Sequence, residues 1–89
     1  MDNFKVIYHI LSSLEEQMDN SKVNTSKLDH EQLGVSLEKW ANYIEMMQDA
    51  EYIKNCVIKR NIYDELIIDV SKIKITLRGL EYLQENSIM

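Results

Sequence analysis

The sequence predicts an α+β fold, a winged helix-turn-helix, from three observations. Apolar residues recur at helical spacing on both sides of Gly34. β-Branched and aromatic residues dominate the stretch from Tyr52 to Val70. The run Lys72–Leu83 passes from a short alternating strand through a threonine cap into an apolar helix. Together these give a three-helix core, a two-stranded wing and a C-terminal helix in one domain over residues 1–89.

In the first element, Phe4, Ile7, Leu11, Leu14 and Met18 recur at steps of three and four, which predicts a helix over 3–18. Val6, Tyr8 and Ile10 add apolar side chains around most of its first half. Phe4, Val6, Ile7, Tyr8, Ile10 and Leu11 therefore exceed what one face of a small domain can bury, and a homodimer through this helix is expected. The alternative is that Val6 or Tyr8 packs beneath the wing or the tail Ile88–Met89. Polar residues from Asp19 to Lys27 form a connection with a short edge strand near Val23. Asp29 then caps a helix over 29–33, and Gly34 ends it in the left-handed conformation that a corner between two helices needs.

Ser36 caps the next helix, over 36–50, whose inward residues are Leu37, Trp40, Ala41, Ile44 and Met47. In this fold it is the recognition helix. Two antiparallel strands between Tyr52 and Val70 make the wing, with either Lys59–Asn61 or Asp64–Glu65 at its tip. Thr76 caps the last helix, over 76–86. Its Leu77, Leu80, Tyr82 and Leu83 point inward, and Gly79 allows its first turn to approach the sheet. The expected core is Ile7, Leu11, Leu14, Leu33, Leu37, Trp40, Ile44, Leu80 and Leu83.

Composition narrows the function. Net charge is −5, with four Lys against ten Asp or Glu in residues 1–51 and six Lys or Arg against five acids in residues 52–89. Contact with nucleic acid must therefore come from local patches. No 18-residue apolar stretch or signal-peptide pattern occurs, so a cytoplasmic location without membrane insertion is expected. The single cysteine, Cys56, reads as a small buried hydrophobe in a strand. His9 and His30 lie in different helices, no Cys or His pair has metal-ligand spacing, and no phosphate-binding glycine loop occurs. No cofactor, small-molecule ligand or catalytic array is expected.

The order of helix, Leu33-Gly34-Val35-Ser36 corner, helix, two strands and Ile75-Thr76-Leu77-Arg78-Gly79-Leu80-Glu81-Tyr82-Leu83-Gln84-Glu85-Asn86 resembles the YjcQ family, small winged-helix proteins of Gram-positive bacteria and their phages. The resemblance covers nearly the whole chain. It implies the fold and a bacterial or prophage source, and it brings no catalytic or ligand residue with it.

On this fold, double-stranded DNA is the expected partner of a transcriptional regulator. Ser36, Lys39 and Asn42 at the start of the recognition helix would reach a groove edge, while Lys54, Lys59 and Arg60 on the first wing strand would contact phosphates. Glu38, Glu45 and Asp49 share the solvent face of that helix and would repel phosphate. This favours the alternative, a non-catalytic protein-interaction module on the same scaffold.

Overall fold

The computed structural model describes residues 2–87. Helix α1 runs Asn3–Glu16, started by the Asp2 carboxylate, which accepts the Lys5 N–H at 2.9 Å. Its buried residues are Val6, Ile10, Leu11 and Leu14. The stripe expected from periodicity is thus rotated: Ile7 is half-buried, and Phe4 and Met18 are exposed. Apolar side chains surround the first half of α1, so periodicity alone left its rotation open. Contact with α4, β4 and the 3-10 segment below chose it.

The edge strand expected near Val23 does not form. Gln17, almost wholly buried, replaces it: its Oε1 accepts the Asn24 N–H at 2.6 Å, and its Nε2 donates to Ser13 Oγ at 3.2 Å and to the Asn24 carbonyl at 3.5 Å. One glutamine thereby satisfies backbone groups that a strand ladder would have paired. A 3-10 turn follows at Thr25–Leu28, then α2 at His30–Leu33, capped by Asp29. Gly34 ends α2 at φ +68°, ψ 32°, and the N–H groups of Gly34 and Val35 return to the carbonyls of Glu31 and His30.

Helix α3 spans Leu37–Asp49, and the Ser36 hydroxyl accepts the Lys39 N–H. Trp40 is its anchor, with the ring in the core and the indole N–H donating to the Leu28 carbonyl at 2.8 Å. Ala41, Ile44 and Met47 bury as expected. Tyr43, not expected in the core, buries too and donates its hydroxyl to Asn3 Oδ1. Leu37 is exposed, contrary to expectation, and so is Leu77 in α4. Each is the first residue of its helix, outside the turns that cross the core.

The region from Tyr52 to Val70 divides between two ladders. Strand β1 (Ile53–Lys54) pairs with β4 (Lys74–Ile75), whereas β2 (Val57–Arg60) and β3 (Leu66–Asp69) form the wing hairpin. The division falls at Asn55, with φ +71°, and at Cys56, whose N–H and carbonyl are both bound by the Gln48 side-chain amide at 2.8 and 3.0 Å. A residue bracketed in this way cannot join a strand ladder.

Helix α4 (Leu77–Glu85) begins at Thr76. That hydroxyl accepts the Gly79 N–H and donates to the Glu51 carbonyl, while the Thr76 N–H reaches the Tyr52 carbonyl at 3.1 Å. Leu83 is buried and Leu80 only half-buried. A Cβ at position 79 would collide with the Tyr52 carbonyl and lie 2.7 Å from Ile75 Cγ1. Gly79→Ala should therefore destabilise the fold by about 1–3 kcal/mol despite alanine's better helix propensity, as measured by urea unfolding.

Candidate interaction surface of the third helix and wing

The solvent face of α3 begins at Ser36, whose hydroxyl is already engaged as the helix cap. Lys39 and Asn42 are exposed one turn apart. The Lys39 ammonium stands 6.0 Å from the Tyr43 ring centre, and the Asn42 amide donates back to the Glu38 carbonyl at 3.0 Å. These three residues do share the accessible N-terminal half of α3, although two of them spend hydrogen-bonding capacity locally.

The basic residues expected on the wing separate. Lys54 lies on β1, directly across the ladder from Lys74, and is not part of the wing. Lys59 is exposed on β2 opposite Ile67. Arg60 belongs to the other face of the hairpin. Its guanidinium lies 3.7 Å from the Glu45 carboxylate on α3 and 3.7 Å from that of Asp64, and it also donates to the Asp64 carbonyl at 3.0 Å. Such exposed pairs contribute little to stability, but two carboxylates cancel the field that Arg60 would offer a phosphate. Across α3 and the wing, the three basic residues Lys39, Lys59 and Arg60 are outnumbered by Glu38, Glu45, Asp49, Asp64, Glu65 and Asp69. This surface is acidic.

The wing turn is built chiefly by Asn61. Its Oδ1 accepts the N–H groups of Tyr63 and Glu65 at 2.9 and 3.0 Å, its Nδ2 donates to Glu65 Oε1, and Asp64 adopts φ +62°. Both polar clusters proposed for the tip thus contribute to one turn. Between them the turn holds out Ile62 and Tyr63, which are 91% and 77% exposed. On the outer face of the hairpin, Val57 and Ile67 are also about half-exposed. The tip was expected at one of the polar clusters on either side, and neither Ile62 nor Tyr63 was singled out. The available signal was an adjacent apolar pair inside a polar turn.

The sequence profile of the YjcQ family, described as YjcQ protein, matches residues 8–89. The chain belongs to the YjcQ family. No curated protein and no solved structure matches it. The four helices and antiparallel hairpin of this YjcQ-family chain form a winged-helix-like α+β fold. Among the described residues no helix is long and apolar enough to cross a membrane, and no group of three or more His, Cys, Asp or Glu is placed to hold a metal ion.

Cys56 is buried in the loop joining the two ladders, as a small hydrophobe would be, though outside a strand. Burial, reinforced by the Asp69 carboxylate, pushes its thiol up to about 11. Raised above its unfolded value, the thiol favours the fold fully below the unfolded pKa, and that contribution is lost as pH rises through about 11. Iodoacetamide should therefore label the folded protein far more slowly at neutral pH than a denatured control, with labelling rising steeply only in the alkaline range.

Proposed function

We propose that this YjcQ-family chain is a non-catalytic protein-interaction module that pairs with a second copy of itself through the wing. The observation that carries this reading is the exposed Ile62–Tyr63 pair on a turn already fixed by Asn61. An aromatic and an aliphatic anchor held on a rigid turn lose little conformational freedom on binding, which favours association. The rest of the hairpin suits a twofold contact. Val57, Lys59, Ile67 and Asp69 share its outer face, so a twofold axis along the Val57–Ile67 diagonal sets Lys59 beside Asp69 of the partner subunit and Val57 and Ile67 in the apolar centre.

The burial of the first helix favours the wing over that helix as the contact surface. Val6, Ile10 and Leu11 are buried in their own chain, Ile7 and Tyr8 are half-buried against the same core, and only Phe4 is left out. Ile88 and Met89 lie outside the described residues.

A second reading, a DNA-binding phage or prophage regulator, is favoured by the exposure of Lys39 and Asn42 at the start of α3. The acidic surroundings argue against it, since carboxylates near phosphates oppose binding. Sedimentation equilibrium and a DNA shift assay at low and moderate salt separate the two readings. The interaction module gives a dimer near about 100 μM, weakened at least about tenfold by Ile62→Asp with Tyr63→Ser, and no DNA shift. A monomer at that concentration rejects pairing through the wing. A DNA shift that Lys59→Ala with Arg60→Ala weakens on all sequences, and Asn42→Ala alters in sequence preference, establishes the regulator instead.

A further inference from the structure

A groove of about 800 Å³ separates the end of α1 and the loop after it from the strand β4 and its approach. Its position is set by Gln17, which ties the loop back to α1 at Asn24 and so holds one wall at a fixed distance from the other. The size falls within the range of small-molecule sites. Leu14, Val23, Ile73 and Ile75 give it an apolar floor, and Lys22, Lys72 and Lys74 stand around it.

The electrostatics of this groove are unlike those of the chain as a whole. In a protein of net charge −5, no Asp or Glu lines it. Among the described residues none of its three lysines joins an ion pair. Lys54, outside the groove, lies directly across the β1–β4 ladder from Lys74, a like-charge pairing that disfavours the ladder. Asp69, the acid before this wall, turns its carboxylate to the Ser71 N–H at 2.9 Å. Asp69 is close enough to Lys72 to feel its charge, so Lys72 is partly compensated, while Lys22 and Lys74 leave a net positive charge around the groove.

The backbone says what kind of ligand fits. An added peptide strand would need a run of free N–H groups along a wall, and on the approach to β4 those of Ser71 and Ile73 are taken by Asp69 and Val70, which breaks such a run. Recognition is left to ammonium groups at the rim and aliphatic side chains below them. We infer that this groove binds a small amphiphilic anion, a carboxylate carried on a single aliphatic chain, with the head among Lys22, Lys72 and Lys74 and the tail over Val23, Ile73 and Ile75. This site is separate from the wing, and its occupancy does not depend on self-association.

Titration of the full chain with decanoate, below the concentration at which decanoate self-assembles, tests the inference through backbone amide chemical shifts. The expected result is a saturable shift centred on Val23 and Ile73–Ile75. Lys72→Glu with Lys74→Glu should weaken it at least about tenfold, while the same variant gains affinity for decyltrimethylammonium. Acetate should give no saturable shift, because the tail supplies part of the affinity. Both lysines are exposed, and the change at position 74 removes a repulsion while that at position 72 sets a like charge near Asp69. The two effects oppose each other, and a thermal melt should show the variant folded at the titration temperature. The inference fails if decanoate gives no saturable shift up to about 1 mM, or if charge reversal leaves its affinity unchanged. It also fails if decyltrimethylammonium binds the parent equally well, or if an oligoglutamate peptide shifts these amides when decanoate does not.

Discussion

The fold depends on the junction at which Thr76 meets Glu51 and Tyr52. Helix α3 ends at Asp49 with Ala50 as its C-cap, and Glu51, at φ +67°, turns the chain toward β1. Thr76 closes that turn from the far end of the sequence, through its hydroxyl to the Glu51 carbonyl and its N–H to the Tyr52 carbonyl. The same hydroxyl starts α4, and Gly79 brings the first turn of that helix onto the Tyr52 carbonyl, where Tyr52 and Tyr82 pack with ring centres 5.1 Å apart. A two-residue ladder such as β1–β4 has little stability alone. It persists because this junction ties its two strands together at the Ile53–Ile75 end, and the β4 wall of the groove is held in register with it.

Two glutamines perform comparable service elsewhere. Gln17 holds the loop after α1, and Gln48 brackets Cys56 where the small ladder gives way to the wing. Each satisfies a backbone donor and acceptor at a place where the chain leaves regular structure, which keeps these irregular segments from carrying unpaired polar groups into a partly buried setting. The wing springs from a fixed base for this reason, and its contact with α3 is completed by Arg60 beside Glu45. A small domain with a limited core gains much of its definition from such short connections.

Charge is sorted by surface. Acidic side chains predominate on α3 and the wing turn, where Arg60 is neutralised by its neighbours, whereas among the described residues the lysines of the groove join no ion pair. Long-range electrostatics therefore disfavour polyanions at the surface that the fold would ordinarily present to DNA, and favour single anions at a different one. The apolar groups that remain exposed on the wing are presented by local hydrogen bonding, so their display is a property of the turn and not of a loose loop.

Much of the architecture was legible in the sequence because it is specified locally. Asp29, Ser36 and Thr76 cap helices wherever the chain goes next, Gly34 supplies the left-handed residue that ends α2, and the spacing of Trp40, Ala41, Ile44 and Met47 defines a helical face without reference to a partner. The family resemblance rests on the same local signals. What tertiary structure alone decided are matters of relative placement. The rotation of α1 could not be read because apolar residues surround its first half. Lys54 could not be separated from the wing because two successive β-rich segments look alike until each finds its partner strand. Arg60 lost its apparent freedom to Glu45, and Lys22 joined Lys72 and Lys74 around one groove, through contacts between residues far apart in the chain. Local hydrogen bonding and periodicity are written in neighbouring residues, whereas the pairing of charges and the exposure of apolar side chains depend on which elements the packed core brings together.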